Sequence, residues 1–161
     1  MLTPKNIQKP NNNLNTSFYT QLLTSAKQEG IKRFSTGALI FEGKKVLLFR
    51  RAKNDFLGGI YEVPGGSLEE GESLKECLQR EIEEETGLSI KRVIRYVDYF
   101  DYLSEEGKKT RQFNFAIEVK TPRNVKLSSE HDHFVWITPD TLQQINPTES
   151  ISITLHNFWK G

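Results

Sequence analysis

Cysteine, methionine and long apolar runs are scarce in this chain of 161 residues, which has one cysteine and one methionine. Because Cys77 stands alone, an intramolecular disulfide framework is excluded, and a reducing, cytoplasmic location is expected. No apolar run approaches the roughly 18 residues of a membrane span, and the amino terminus lacks a signal-peptide core. The sequence therefore predicts a protein with no membrane partner.

An excess of charge of one sign is also absent. The chain has 22 Lys and Arg residues against 21 Asp and Glu residues, which gives a formal net charge of +1. A global field that would attract nucleic acid or an anionic membrane is therefore missing, and we do not expect a nucleic-acid partner. The length suits one domain with a buried core.

A helix is clearly indicated at residues 74–86. Ser73 and Glu76 form a capping box at its start, and Gly87 stands where a left-handed residue would end it. Four apolar residues define the side that packs inward, and they are Leu74, Cys77, Leu78 and Ile82. Cys77 is therefore expected to be a small buried side chain rather than a nucleophile.

Three carboxylates, Glu81, Glu84 and Glu85, stand at i, i+3 and i+4 of this helix. Glu81 and Glu85 project into the apolar stripe, whereas Glu76 and Glu83 point the other way. Like charges at i and i+4 repel by about 0.2–0.5 kcal/mol when exposed, and by more when they are desolvated. A bound cation would offset this repulsion, and carboxylate oxygens are the ligands that Mg²⁺ prefers.

The helix belongs to a longer motif with fixed spacing. Glycine, five residues, Glu, seven residues, then Arg-Glu-aliphatic-x-Glu-Glu-x-Gly-aliphatic is the signature of the Nudix hydrolases, which this sequence resembles. The matching residues are Gly66, Glu72, Arg80, Glu81, Ile82, Glu84, Glu85, Gly87 and Leu88. A chance match at a given start is on the order of one in 10⁹. The motif and its flanking strands cover roughly residues 34–139, and the resemblance implies an α/β protein with the Nudix fold, a mixed β-sheet in an α/β/α sandwich.

The resemblance also implies a metal site. Glu81, Glu84 and Glu85 would bind Mg²⁺ or Mn²⁺, and a backbone carbonyl at Gly66 would join them. The Gly65-Gly66 turn permits close backbone approach. Like Glu81, Glu84 is expected to be a catalytic residue as well as a metal ligand.

Catalytic roles are implied as well. Glu81 would activate the attacking water. Arg80 would orient the Glu81 carboxylate through a salt bridge, and Glu72 would support that arrangement. A Glu from a later loop can replace the motif Glu as base, and Glu130 stands just before a predicted strand. His131 and His133 are expected to be substrate-loop or exposed residues, because two His residues without further ligands are a weak zinc signal.

Substrate contacts are less well defined. Arg50 and Arg51 end a strand that should point toward the site, and either could bind phosphate through its planar fork. Strand alternation predicts that only one of them faces inward. Phe56 and Arg111 are further candidates for binding the substrate, because each could stack on a base.

The organisation predicted along the chain is simple. A flexible tail is expected at 1–16, an amphipathic helix appended to the domain at 17–30, and a single Nudix domain at 31–161. Strands are predicted at 34–41, 45–51, 60–63, 90–102, 110–120 and 134–138. A helical turn begins at Pro139, and the spacing of Ile151, Leu155, Phe158 and Trp159 predicts a last helix.

The favoured function is a metal-dependent pyrophosphohydrolase that cleaves a nucleoside diphosphate linked to another moiety. A nucleoside triphosphate giving the monophosphate and pyrophosphate, by water attack at phosphorus, is the leading reaction. A non-catalytic nucleotide-sensing module is one alternative. Hydrolysis of ADP-ribose or nucleotide sugars, dinucleoside polyphosphates or RNA ends is another. The sequence leaves monomer and homodimer equally open.

Overall fold

The computed structural model describes residues 14–161, so residues 1–13 of the predicted tail lie outside the described residues. Four helices and seven strands follow in the order α1 Thr16–Gln28, β1 Arg33–Glu42, β2 Lys45–Arg51, β3 Tyr61–Glu62, β4 Gly65–Ser67, α2 Leu74–Thr86, β5 Ile90–Leu103, β6 Lys109–Val119, β7 His131–Ile137, α3 Leu142–Ile145 and α4 Glu149–Lys160. Asn15 caps α1 by accepting the Phe18 N–H at 3.0 Å, and Leu14 packs against the core.

The seven strands form one mixed sheet with β1 at its centre. β1 pairs with β6 in parallel and with β2 and β4 antiparallel, while β5 lies antiparallel beyond β6. β2 also carries β3 and β7, both antiparallel. The mixed sheet confirms the predicted α/β class.

Helices cover both faces of this sheet because the buried strands alternate side chains between two cores. Ala38 and Ile40 of β1 join the core that α1 and α2 cover, whereas Leu39 joins the core under α3 and α4. The inward residues of α2 are completely buried, as the apolar stripe predicts, and they are Leu74, Cys77, Leu78 and Ile82. The predicted α/β/α sandwich is confirmed.

The helix predicted at residues 74–86 is α2, with the same bounds. The Ser73 hydroxyl accepts the Glu76 N–H at 3.1 Å, and Gly87 closes the helix in the left-handed conformation at φ 69°. Burial raises the pKa of the Cys77 thiol to about 11, and its Sγ lies 3.4 Å from Thr36 Oγ1. A buried thiol with a raised pKa is a packing residue rather than a nucleophile.

The predicted position of His131 is wrong. β7 begins at His131 rather than at residue 134, and the His131 side chain is only 1% exposed. The pairing of β7 with β2 sets His131 opposite Arg51 and turns its Nε2 toward Glu62 Oε1 at 2.9 Å. His133 is exposed, in agreement with the prediction. Within the described part of the chain, no helix combines the length and apolar character needed to cross a membrane.

Candidate active site

A polar cavity of about 310 Å³ opens where β4, α2 and the start of β7 meet; we call it the carboxylate cavity. Six of the predicted site residues line it, and they are Arg51, Gly65, Gly66, Glu81, Glu85 and Glu130. Glu130 reaches this position because its carbonyl accepts the Ala52 N–H at 2.8 Å, which ties the chain before β7 to the end of β2. Arg51 and Glu130, which are 79 positions apart in the sequence, are thereby brought to one site.

Glu85 is the most deeply buried acid of the cavity, with 6% of its surface exposed. Its Oε2 accepts the Gly65 N–H at 2.9 Å, which fixes the carboxylate against β4. Burial raises the pKa of Glu85 to about 9, and the neighbouring acids Glu81 and Glu130 add to the rise. Across the described residues, no basic side chain is among the groups that influence the pKa of Glu85, and a bound cation would supply the missing positive charge.

Glu81 lies beside Glu85 with its carboxylate against the backbone of Gly66. A Cβ at Gly66 would stand 2.3 Å from Glu81 Cδ, so only glycine leaves room for this approach. Burial raises the pKa of Glu81, while the bond from Arg80 opposes the rise. The helix and the glycine turn therefore place one half-buried carboxylate at the cavity wall.

Arg80 holds this wall together through several charge-assisted bonds. Its Nε and Nη2 donate to the two oxygens of Glu72 at 2.7 and 3.0 Å, and its Nη1 donates to Glu81 Oε1 at 2.7 Å. Nη2 also donates to the Ser67 carbonyl at 2.9 Å. The Arg80 guanidinium lowers the pKa of Glu72, and the bonds to Glu72 and Glu81 raise the pKa of Arg80. A fork with this geometry fixes both position and orientation.

Glu84 is not gathered with the other two acids of the motif. Its side chain is 60% exposed, and its Oε2 lies 3.3 Å from Arg80 Nη1. Across residues 14–161, no three His, Cys, Asp or Glu side chains are arranged to hold a metal ion together. Glu81, Glu85 and Glu130 nevertheless present carboxylate oxygens to one cavity, and this donor chemistry fits a hard divalent cation.

The two arginines at the end of β2 face opposite ways, as alternation predicts. Arg51 lines the cavity and donates to Glu62 at 3.2 Å, to Asp55 at 3.1 Å and to the Phe56 carbonyl at 2.7 Å. Arg50 turns outward to Asp132 at 2.7 Å. Arg50 does not line the carboxylate cavity, so its predicted role in substrate binding stays a prediction from the sequence.

Arg111 is buried among ion-pair partners, and its predicted role in substrate binding also stays a prediction from the sequence. It is 4% exposed and makes a two-bond pair with Asp101, at 2.7 and 3.0 Å, and a bond to Glu29 at 3.0 Å. Its guanidinium lies 4.0 Å from the centre of the Tyr99 ring. These contacts engage the Nε and Nη2 donors of Arg111 and tie the end of α1 to the sheet. Arg111 lines neither of the two cavities described here.

A second cavity of about 240 Å³ adjoins the first; we call it the apolar cleft. Its apolar lining consists of Phe56, Leu57, Ile60, Tyr61, Phe100 and Ile151. Phe56, predicted from the sequence to bind substrate, is 37% exposed at this cleft. The two cavities share Arg51, Glu62, Tyr102 and Gln112, so these four residues form the junction between a polar and an apolar space.

Sequence reasoning missed two residues of this junction, Glu62 and Gln112. Glu62 accepts bonds from both Arg51 and His131, and Gln112 projects from β6. Glu62 belongs to a strand of two residues, and Gln112 occupies a strand position with no motif around it. Only the pairing of β3 with β2 and of β6 with β1 brings them to the site.

Comparisons with known proteins agree with this fold. The chain is 34% identical over 113 residues to an octanoyltransferase from Myxococcus xanthus, a match that covers 69% of this chain but only 31% of that protein. It is 29% identical over 125 residues to an 8-oxo-dGTP diphosphatase from Buchnera aphidicola subsp. Schizaphis graminum (strain Sg), covering 76% of this chain and 89% of the relative. The crystal structure of a MutT protein from Methanosarcina mazei Go1 superposes with a TM-score of 0.69 at 28% identity, over 80% of this chain and 93% of the other. Residues 31–155 match the sequence model of the NUDIX domain, and this chain therefore belongs to the NUDIX domain family.

Proposed function

We propose that this protein is a metal-dependent pyrophosphohydrolase of nucleoside diphosphate derivatives, with a nucleoside triphosphate as the leading substrate. The observation that carries the proposal is the junction: a cavity of carboxylates opens directly into an apolar cleft, and Arg51 lines both. A nucleotide has the same two parts, a charged phosphate chain and a flat, largely apolar base. The Buchnera relative, named as an 8-oxo-dGTP diphosphatase, supports this class.

The residues suggest how the substrate would lie. The base would enter the apolar cleft beside Phe56, and the phosphate chain would pass Arg51 toward the carboxylates of α2. The Arg51 fork suits phosphate oxygens because it offers planar donors at a fixed charge. Arg51 already shares its donors with Glu62 and Asp55, which hold the side chain in place before a substrate arrives.

Glu81 and Glu85 are the carboxylates that would hold the metal, with Glu84 and the Gly66 carbonyl as the further ligands implied by the motif. A divalent cation bound there would neutralise phosphate oxygens in the transition state. Glu84 would have to leave Arg80 to join the set, and the exposed side chain has room to turn. Gly66 keeps the approach of Glu81 open.

Proton transfer has two candidate acceptors on the chain. Water attacks phosphorus, the anhydride P–O bond breaks, and pyrophosphate leaves with the bonding electron pair. The proton of the attacking water would pass to Glu81, which Arg80 orients, or to Glu130, which faces the cavity from the other side. Both residues line one cavity, so separate Glu81→Gln and Glu130→Gln variants distinguish them by their loss of kcat.

The test is product identification across a panel of nucleotides with and without Mg²⁺ or Mn²⁺. The panel contains nucleoside triphosphates, 8-oxo-dGTP, ADP-ribose, a nucleotide sugar, a dinucleoside polyphosphate and a triphosphate-ended RNA. Metal-dependent release of pyrophosphate and a monophosphate supports the leading reaction. Turnover of another member reassigns the substrate class, and binding without any turnover identifies a sensor.

The expected partner follows from the same proposal. A small-molecule nucleotide is the expected partner, and monomer and homodimer are both compatible with it. The cytoplasmic location stays a prediction from the single cysteine.

A further inference from the structure

A chain of hydrogen bonds leads from α4 to the junction of the two cavities. Asp98 on β5 accepts from Thr154 Oγ1 at 3.1 Å and from Asn157 Nδ2 at 2.7 Å, both on α4. It also accepts from Nδ2 of Asn114, a completely buried residue of β6, at 2.9 Å. Because a carboxylate can only accept, Asp98 fixes the direction of the Asn114 amide and turns Asn114 Oδ1 the other way.

The orientation of the Gln112 side-chain amide follows from that of Asn114. Gln112 stands two residues before Asn114 on the same face of β6, and its Nε2 donates to Asn114 Oδ1 at 2.8 Å. The Gln112 carbonyl, Oε1, must therefore point away from Asn114. Gly37 provides the space for this amide pair, since a Cβ there would stand 2.3 Å from Asn114 Oδ1 and 2.4 Å from Gln112 Nε2.

Gln112 lines both the carboxylate cavity and the apolar cleft. Across residues 14–161, no donor is hydrogen bonded to Gln112 Oε1. The other acids and hydroxyls of the junction are already engaged: Glu62 accepts from Arg51, and the Tyr102 hydroxyl donates to Ser35 Oγ at 3.3 Å. Gln112 thus lines the space beside Arg51 and carries a neutral acceptor that no donor of the described residues occupies.

We propose that Gln112 determines substrate specificity by accepting a hydrogen bond from the nucleotide where the phosphate chain meets the nucleoside. The donor is a sugar O–H or an exocyclic amino group of the base, and Asp98 and Asn114 are the positioning residues that keep Gln112 Oε1 turned toward it. The identity of the ligand rests on the proposed function. A site built around an acceptor rejects analogues that lack the donor, because the acceptor would then be desolvated without a partner.

Paired nucleotides test the proposal without requiring turnover. Dissociation constants are measured by calorimetry with Ca²⁺ for GTP against 2′-dGTP and 3′-dGTP, for GTP against ITP, and for ATP against purine riboside triphosphate. The first two pairs remove a sugar hydroxyl, and the last two remove a base amino group. The wild-type protein should bind the member with the donor about 5- to 100-fold more tightly in at least one pair.

Gln112→Leu should abolish that ratio by weakening the donor-bearing member alone, and Gln112→Met should do the same if the leucine variant folds poorly. Persistence of the wild-type ratio in both variants, or equal binding in every wild-type pair, overturns the proposal. Loss of hydrolysis with the paired binding intact would instead count against the proposed function alone.

The positioning role has its own readout. Asp98→Asn replaces one of the two acceptor oxygens with an NH2 group, which donates. The Asn114 amide then loses its imposed direction, and the ratio of dissociation constants within the pair should fall. Asp101→Asn is the matched control on the same strand, because its carboxylate bonds Arg111 away from both cavities, and it should keep the wild-type ratio. A merely structural effect of Asp98→Asn would weaken both members equally, and that result would refute the positioning role.

Discussion

The carboxylate cavity and the Asp98 cluster, which consists of Asp98, Asn114, Thr154 and Asn157, both hold at least one acidic side chain partly or fully away from water. The two regions differ in how the charge of that side chain is stabilised. In the cluster, Asp98 receives donors from Asn114, Thr154 and Asn157, so its two oxygens are satisfied within the protein. In the cavity, Glu85 has one backbone donor and two acidic neighbours, and its pKa is raised to about 9. The first arrangement is complete by itself, whereas the second calls for an external positive charge.

This contrast distinguishes structural from ligand-binding polar groups. A satisfied buried acid contributes to stability, and removing it leaves donors without partners. An acid buried among like charges costs stability while the site lacks a cation, a cost that proteins commonly accept at functional sites. Substitutions in the two regions should therefore change stability in opposite directions.

The largest expected effect is on catalysis in the cavity. Glu81→Gln should keep the fold but lower kcat by about 10²–10⁴-fold, because a carboxylate that binds metal and accepts a proton is lost. Steady-state hydrolysis of the best panel substrate measures this change. Glu83→Gln is the matched control on the exposed face of α2 and should retain full activity. Near-normal turnover by Glu81→Gln would refute the catalytic role proposed for Glu81.

In the Asp98 cluster, the expected effect is on stability. Asp98→Ala should lower the free energy of unfolding by about 2–3 kcal/mol, since Asn114 and the α4 donors lose their acceptor. Urea denaturation followed by circular dichroism measures the change. Asp132→Ala removes an acid that pairs with Arg50 at the surface, and it should leave stability nearly unchanged. Equal losses in the two variants would contradict the structural role of the cluster.

Removing the Glu85 carboxylate should raise the stability of the metal-free protein, whereas Asp98→Ala should lower stability. The size of the Glu85 effect depends on pH. The folded pKa of about 9 lies above the ordinary value of 4.5, so the folded state holds more protons between these values. The stability of the metal-free protein should therefore fall as pH rises through this window, by up to about 1.4 kcal/mol per pH unit from this group.

Glu85→Gln lacks this titration. The free energy of unfolding of its metal-free form should therefore rise relative to that of the metal-free wild type as the pH increases from 5 to 9. Thermal unfolding in the presence of a chelator at several pH values measures the difference. If the stabilities of the two proteins changed in parallel with pH, the buried Glu85 carboxyl would not destabilise the metal-free protein.

The smallest expected effect separates the two arginines of β2. Arg51→Lys should raise KM about tenfold with little change in kcat, because an ammonium cannot replace the fork that faces the junction. Arg50→Lys should leave both constants unchanged, since Arg50 faces Asp132 outside the cavities. Equal effects in the two variants would mean that phosphate binds elsewhere.

Local chemistry explains why α2 could be predicted so closely. Its cap, its apolar stripe and its terminal glycine all lie within residues 73–87, and each acts over a turn or two of helix. The burial of Glu85 and the exposure of Glu76 and Glu83 follow from the same helical period. The burial of His131 could not be predicted in this way, because the direction of a strand side chain depends on pairing with distant strands.

The sequence by itself determined the motif and the inward acids of α2, because these depend on residue spacing and on the period of one helix. The α/β class followed from the family resemblance that the motif carries. Tertiary structure decided which residues share the site. Glu62, Gln112 and Glu130 come from three separate segments, and only strand pairing sets them beside α2. It also decided that Glu84 faces solvent while Arg80 binds Glu72, since a long side chain takes its direction from the partners that the folded chain brings within reach.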